Sequence, residues 1–211
     1  MRATLVSTTV LAAVLGACGV GERPTLVDRS AIGGLARTPT GVDAADEVLG
    51  LLEGDLPEEV TATYTITPKL GALSRPATVV RSGDQTSVTI GDVRFLSNGE
   101  ARTCQLATGT CVDGIDEAEV SDTAITSGFY NSSPAQVLRV SLARATGEPV
   151  ASSQTVGEHP VTCVTVPAGQ GEELTCATPE GLVAVWDTAF VHVTLDGLTP
   201  TADPAAFGPT R

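Results

Sequence analysis

Residues 60–67 are Val60-Thr61-Ala62-Thr63-Tyr64-Thr65-Ile66-Thr67, a run in which apolar and threonine side chains alternate throughout. Successive side chains of a β-strand point to opposite faces of a sheet, so a period of two is typical of a strand with one buried face and one face in water. The run therefore predicts a strand that covers an apolar core on one side.

Further strand candidates follow, and turn-forming residues separate them. They cover residues 77–81, 86–90, 93–96, 101–106, 150–156, 161–166, 174–178, 182–187 and 190–195. The first candidates are separated by Ser82-Gly83-Asp84, Gly91-Asp92 and Ser97-Asn98-Gly99-Glu100, all of which favour tight turns. Such closely spaced turns predict an antiparallel meander, and hence a β-rich α+β fold.

Helical patterns flank and interrupt the strands. Residues 42–52 form one candidate, with Asp43 as its predicted N-cap, and residues 116–130 are acidic and partly helical in pattern. Ser133-Pro134 predicts a cap and first-turn proline for a helix over 135–144, which Gly147 ends. Its predicted apolar face consists of Val137, Leu138, Val140 and Leu142. This face should lie on the sheet and cover it.

An apolar leader covers residues 5–17 behind a single charge at Arg2 and runs into Leu15-Gly16-Ala17-Cys18. It is too short to cross a bilayer, which needs roughly 20 apolar residues, and is typical of a secretory signal. The junction resembles a bacterial lipobox, in which the leader is cut before a cysteine that carries a diacylglycerol. This resemblance implies a signal peptide over residues 1–17 and lipidation at Cys18. An unmodified cysteine inside an ordinary leader is the alternative.

The remaining chain divides into a tether and one domain. Residues 18–41 carry Gly, Pro, Thr and Arg without a sustained apolar period, which predicts a lipidated N-terminus and a flexible tether with a span of about 25 Å. Residues 42–211 are predicted to form a single domain. The formal net charge of −13 repels phosphate backbones and anionic head groups, so no nucleic acid is expected as a partner and membrane attachment has to be hydrophobic.

Cysteine usage fits an exported protein. The chain has five cysteines, and lipidation of Cys18 would account for the odd one. The others are Cys104, Cys111, Cys163 and Cys176, and the pairs Cys104–Cys111 and Cys163–Cys176 each bracket a turn. Two cross-hairpin disulfides are expected, with Thr165 opposite Leu174 in the second hairpin. A four-thiolate zinc site is the alternative, although the Cys-x-x-Cys spacing of zinc knuckles is absent.

No residue pattern indicates catalysis, a metal or a cofactor. The acidic stretch Asp113, Asp116, Glu117 and Glu119 lacks the spacing of an EF-hand, so an exposed acidic turn is expected. His159 precedes a proline in a predicted turn, while His192 lies in a predicted strand, and neither has a metal-binding spacing. Asp187, Ser141 and His192 could meet in space, but no nucleophile elbow accompanies them. We expect a protein that is not an enzyme.

The C-terminal half resembles a known group of lipoproteins. The segment His159-Pro160-Val161-Thr162-Cys163-Val164 and the segment Thr175-Cys176-Ala177-Thr178-Pro179-Glu180-Gly181-Leu182-Val183 resemble the cysteine hairpin of actinobacterial lipoproteins of the LolA, LppX and LprG type. The ending Asp203-Pro204-Ala205-Ala206-Phe207-Gly208-Pro209 is also similar. The resemblance extends over about residues 60–209.

Membership of this group would imply a curved antiparallel half-barrel whose concave face is covered by helices over an apolar cavity. The expected function is then that of a lipid-anchored protein on the extracytoplasmic face of the cell membrane, binding a lipid or another apolar ligand without catalysis. The ligand-contacting residues and any protein partner are unknown from the sequence. The alternative is an envelope interaction or sensor domain whose core is filled by its own side chains.

Overall fold

The computed structural model describes residues 38–71, 73–169 and 171–208. The predicted signal peptide, Cys18 and most of the predicted tether lie outside the described residues. Within the described part of the chain, no helix is long and apolar enough to cross a membrane.

Eleven strands form one antiparallel sheet with the order β6-β5-β4-β3-β2-β1-β11-β10-β9-β8-β7. The strands are β1 (Glu59–Pro68), β2 (Arg75–Ser82), β3 (Gln85–Ile90), β4 (Val93–Ser97), β5 (Ala101–Gln105), β6 (Thr110–Asp113), β7 (Val150–Val156), β8 (His159–Ala168), β9 (Gly171–Ala177), β10 (Val183–Asp187) and β11 (Val191–Thr199). All predicted strands are present, and β6 is an additional one. Its four residues are exposed, so it lacks the alternating burial that reveals a strand in a sequence.

The chain runs outward from the centre of the sheet and returns by the opposite edge. Consecutive strands pair from β1 to β6 and from β7 to β11, and β1 pairs with β11 at the centre. The curved sheet therefore stays open, with β6 and β7 as its two edges. The connection between these edges carries helical segments. The predicted fold class, a curved antiparallel half-barrel with helices on one face, is confirmed.

Within residues 38–208, as far as they are described, two α-helices and two short 3₁₀ helices accompany the sheet. The α-helices are α1 (Asp43–Leu52) and α2 (Ser132–Ala143), and the 3₁₀ helices cover Glu117–Thr123 and Pro204–Phe207. Both α-helices lie against β8 and β9, and Ser141 of α2 donates a hydrogen bond to Glu173 of β9. The helix predicted to cover the sheet therefore does so.

The predicted helix caps at Asp43 and Ser133 are wrong. At α1, Asp46 reaches back from inside the helix and accepts 2.7 Å hydrogen bonds from the backbone N–H and the hydroxyl of Thr40, much as the acidic residue of a capping box does. At α2, Asn131 is the cap and accepts from the N–H of Ser132. The proline that suggested a later start is still tolerated, because N–H groups of the first turn lack partners within the helix.

The prediction that Val140 belongs to the buried apolar face of α2 is wrong. The helix buries Ala135, Leu138 and Ser141, which follow each other at intervals of three residues and so lie on one face. That rotation places Val140 on the other side, where it is 48% exposed. Val137 and Leu142 remain partly buried against the core.

The core lies between the sheet and the helices. Val60, Ala62, Tyr64 and Ile66 of β1 are at most 2% exposed, which confirms the face predicted from the alternating run.

A close contact at Gly181 fixes the position of α1 against the turn before β10. Gly181 has a φ of +81°, and a Cβ atom there would lie 2.8 Å from the carbonyl oxygen of Leu51. This position therefore requires glycine.

Candidate functional site

An apolar cleft of about 240 Å³ lies between the helix-facing side of β3 and β4 and the segment that leads into α2. The cleft is lined by Thr86, Val88, Phe95, Leu96, Ser97, Ile115, Ser127, Gly128 and Tyr130. None of these side chains is charged, and their polar groups are hydroxyls. A cleft of this composition favours an apolar group over an ionic one.

The floor of the cleft is set by strand register, and its wall is held by side-chain hydrogen bonds. Val88 and Phe95 are directly opposite each other on β3 and β4. The hydroxyl of Thr103 donates to the carbonyl oxygen of Gly114 and accepts from the N–H of Asp116, both at 2.8 Å. Glu117 accepts hydrogen bonds from the N–H and the hydroxyl of Ser127. These bonds hold both ends of the loop that carries Ile115, which lies in the cleft wall and is 41% exposed.

A row of aromatic rings connects the cleft with the core. The rings of Tyr130 and Phe129 have centroids 6.1 Å apart, and those of Phe129 and Tyr64 have centroids 5.1 Å apart, both edge to face. The Tyr64 hydroxyl is buried and has no hydrogen-bond partner among the described residues. Burial raises the pKa of Tyr64 and of Tyr130, because an ionised phenolate would lose its hydration. Both phenols therefore stay neutral at physiological pH.

Away from this cleft, side chains pack closely between the sheet and the helices. The largest fully buried side chains are Tyr64, Phe129, Leu49, Leu52, Ile66, Ile90, Leu182, Val48, Val79, Val120, Val164 and Val166. The region under α1 is thus filled by Val48, Leu49 and Leu52 of that helix. The described apolar opening lies to one side, at β3 and β4, and no sequence motif marks it because its residues come from separate strands and a loop.

The structure joins the four cysteines of the domain in two disulfides. Cys104–Cys111 links β5 to β6, and Cys163–Cys176 links β8 to β9. Thr165 lies opposite Leu174. Pairing of all four sulfurs leaves no thiolate among them for a zinc site. Cys18 lies outside the described residues, so its lipidation stays a prediction.

The acidic stretch has a different partner for each carboxylate. Asp113 lies 3.7 Å from Arg102, Asp116 caps the N–H of Ala118, and Glu119 accepts from Gln105. Glu117 binds Ser127, as described above. Among the described residues, no group of three or more His, Cys, Asp or Glu side chains could hold a metal ion.

Asp187 and His192 meet on the outer face of the sheet, whereas Ser141 lies on α2 and donates a hydrogen bond to Glu173 of β9. His192 Nδ1 lies 3.5 Å from Asp187, and His192 Nε2 lies 2.8 Å from the hydroxyl of Thr194. Asp187 also forms a 2.5 Å ion pair with Lys69. This order of groups resembles a nucleophile, base and acid. However, at His192 and Thr194 the strand β11 pairs with β1 on one side and β10 on the other, so the backbone N–H groups beside these side chains bond within the sheet and form no oxyanion hole.

His159 lies at the start of β8 and pairs with Val156, so its predicted location in a turn is wrong. The turn lies just before it and is formed by Gly157 and Glu158. A turn this short lets β7 and β8 pair up to their ends.

No family model matches the chain, and no curated protein matches it. Among solved structures, it is similar to a DUF1329 family protein from Desulfovibrio piger, with 7% identity, a TM-score of 0.34, and coverage of 79% of this chain and 96% of that chain. A LolA superfamily protein from Nitrosomonas europaea has 8% identity, a TM-score of 0.34, and coverage of 76% of this chain and 95% of that chain. Likeness at this level extends to no ligand and no activity.

Proposed function

We propose that the protein is a non-enzymatic binding domain that takes a thin apolar group, such as one acyl chain, into the cleft between β3, β4 and Tyr130. The observation that carries this proposal is the uncharged lining of the cleft in a chain with 25 acidic and 12 basic residues. Burying apolar surface there is favourable at about 25 cal/mol per Å². The resemblance to the LolA, LppX and LprG group agrees with this proposal but remains a prediction.

The size of the cleft restricts the ligand. Its volume of about 240 Å³ is below the range of roughly 300–1,000 Å³ that is typical of sites for complete small molecules. A single chain therefore enters, while a polar head group stays in solvent beside Ile115 at the exposed wall. The hydroxyl groups of Thr86 and Ser97 are suited to hold such a head group by hydrogen bonds.

Attachment to the outer side of the cell membrane through lipidated Cys18 is part of the same proposal. The lipobox resemblance and the odd cysteine support it, and two disulfides are suited to an oxidising compartment. Arg139 holds the start of the domain in place. It donates a 2.8 Å hydrogen bond to the Thr38 carbonyl oxygen and two 2.7 Å hydrogen bonds to Glu53. Mass spectrometry of the mature N-terminus tests this attachment, and an unmodified Cys18 would contradict it.

Blocking the cleft tests the binding proposal. Ser97 is exposed at the end of β4 and lines the cleft, so Ser97→Trp should fill the opening without disturbing the core. We expect affinity for a fluorescent fatty acid to fall at least tenfold, measured by titration, because even about 1.4 kcal/mol of lost binding gives that factor. Native mass spectrometry should show the same loss of bound lipid.

Asn98→Trp is the matched control. Asn98 is the next residue, is exposed in the turn after β4, and does not line the cleft. This variant should bind like the parent protein. Equal affinity of Ser97→Trp and Asn98→Trp for the fatty acid would refute a ligand in the cleft. Absence of fatty-acid binding by the parent protein would refute it as well.

An interaction domain is the second candidate, and a patch of exposed apolar side chains favours it. Leu70, Leu73 and Phe190 are 76%, 86% and 59% exposed, and they lie on adjacent turns joined by a hydrogen bond from Lys69 N–H to the Phe190 carbonyl oxygen. Exposed apolar patches of this kind mark contact sites. A photocrosslinker at Leu73 should capture one recurrent envelope protein in intact cells if this candidate is right, and the same crosslinker at exposed Thr146 should not.

A further inference from the structure

A second cavity, of about 300 Å³, lies on the opposite face of the sheet. It is lined by Thr61, Thr78, Val80, Ser87, Thr89, Arg94, Asp203, Ala205 and Ala206. The strand residues share one face, because Thr61 is opposite Val80, Val80 is opposite Ser87, Thr78 is opposite Thr89, and Thr89 is opposite Arg94. This is the face that does not carry α1 and α2. The cavity is therefore separate from the proposed apolar cleft.

The C-terminal segment forms the other wall of the cavity. The Thr61 hydroxyl donates a 2.7 Å hydrogen bond to the Thr201 carbonyl oxygen, which holds this segment against β1. Asp203 then accepts from the N–H of Ala205 and caps the 3₁₀ helix Pro204–Phe207, which lies against β3. The wall is thus anchored at both ends. Four hydroxyl side chains line the space between this wall and the sheet, those of Thr61, Thr78, Ser87 and Thr89.

Arg94 is the unusual group in this cavity. Its Nε atom is buried and has no hydrogen-bond partner among the described residues, and no described carboxylate lies within ion-pair distance. The arginines of β2 and β5 differ from it, because Arg75 pairs with Asp122, Arg81 binds the Gly83 carbonyl oxygen, and Arg102 pairs with Glu100. A guanidinium with a buried N–H group and no acceptor is costly. Arg94 also lines the cavity, so an anion bound there would supply the counter-charge that no described carboxylate provides.

We propose that this cavity binds a small carboxylate ligand, with Arg94 as the residue that recognises its charge. A guanidinium presents its N–H donors in a planar fork that matches the two oxygens of a carboxylate. Neighbouring hydroxyls of Ser87 and Thr89 can donate to the same oxygens or to other polar atoms of the ligand. Asp203 in the opposite wall and the overall charge of −13 disfavour a doubly charged group such as phosphate.

Titration of the full-length protein in detergent with acetate, and in parallel with inorganic phosphate, tests this site. Calorimetry at constant ionic strength, adjusted with chloride, should show saturable binding of acetate with a lower dissociation constant than that of phosphate. Arg94→Gln should weaken acetate binding about 10- to 100-fold, as expected for loss of a charge-assisted hydrogen bond. Acetate should also raise the thermal midpoint of the parent protein but not that of Arg94→Gln.

Arg102→Gln is the control, because it removes the same charge from the same face of the neighbouring strand β5, where Arg102 already has carboxylate partners. It should bind acetate like the parent protein. The thermal midpoint of Arg94→Gln without acetate should be no lower than that of the parent, which shows that the variant folds. Absence of saturable acetate binding, equal binding by Arg94→Gln, or tighter binding of phosphate would overturn the proposal.

Discussion

The hydroxyl of Tyr64 is a polar group buried in the apolar core. Its ring is 1% exposed and packs edge to face on Phe129, while its oxygen has no described hydrogen-bond partner. Tyr64→Phe keeps the ring contact and removes the unsatisfied group. We expect the free energy of unfolding to rise by about 1 kcal/mol, since an unsatisfied buried group costs roughly 1–3 kcal/mol. Denaturant titration of the ligand-free protein measures this change.

Tyr130→Phe serves as the comparison for Tyr64→Phe. Tyr130 is only half-buried at the wall of the cleft, so water can reach this part of the protein and removal of the hydroxyl should change stability by less than about 0.5 kcal/mol. A loss of stability in Tyr64→Phe would contradict this expectation and would mean that the hydroxyl has a partner, such as a buried water.

At the level of elements, the packing of α1 against the turn before β10 depends on Gly181. Gly181→Ala introduces a Cβ atom 2.8 Å from the Leu51 carbonyl oxygen and forces alanine into a φ of +81°. The backbone conformation alone costs about 1–2 kcal/mol. The close contact adds a steric cost, because neither the Cβ atom nor the carbonyl oxygen can move away without a shift of the backbone. We expect a loss of more than about 2 kcal/mol in the free energy of unfolding, measured by denaturant titration.

Gly157→Ala separates the two contributions. Gly157 has a φ of +61° in the turn between β7 and β8, and no atom lies within 4 Å of the position that a Cβ atom would take there. It should therefore show the backbone cost without the steric cost. If the two variants lose equal stability, α1 does not press on the turn at Gly181 as the structure shows.

Asp46 should make the start of α1 sensitive to acid. Hydrogen bonds from the Thr40 backbone and then from the Thr40 hydroxyl lower the pKa of Asp46 from 3.8. A carboxyl group with a lowered pKa in the folded state stabilises the protein above its unfolded pKa and loses this effect as pH falls through the folded pKa. Asp46→Asn should therefore lower the thermal midpoint by about 2–4 °C at pH 7. This difference should shrink below about pH 4, while Asp43→Asn, exposed in the same turn, should change little at either pH.

The sequence predicts elements better than it predicts their contacts. Alternation at Val60 to Thr67 identifies β1 and its buried face, because burial and strand geometry share the period of two. Helix caps are harder to predict from sequence. Asp43 and Asp46 are both acidic, and which of them caps α1 depends on where the chain places Thr40. The clefts are not predictable, because Phe95 and Ile115, or Arg94 and Asp203, become neighbours only through the curvature of the sheet and the course of its loops.

At the scale of the whole molecule, the two disulfides stabilise different parts of one sheet. Cys163–Cys176 links inner strands, and both residues are fully buried, whereas Cys104–Cys111 ties the exposed edge strand β6 and includes the exposed Cys111. In the chain-entropy model each bond contributes roughly 2.5–3 kcal/mol, so loop length barely distinguishes them. Accessibility should distinguish them, because a reductant has to reach a sulfur atom to attack it.

Limited reduction under native conditions should therefore open Cys104–Cys111 first. We expect an intermediate with two alkylated thiols, at Cys104 and Cys111, identified by peptide mass spectrometry, while Cys163 and Cys176 react only after denaturation. The protein with Cys104 and Cys111 replaced by alanine should keep the cooperative unfolding of the sheet and lose protection from hydrogen exchange mainly in β5 and β6. Replacement of Cys163 and Cys176 should lower the midpoint of global unfolding, because it acts where α1 and α2 cover β8 and β9. Alkylation of all four thiols in one step would contradict this order and would mean that the edge and the covered part of the sheet open together.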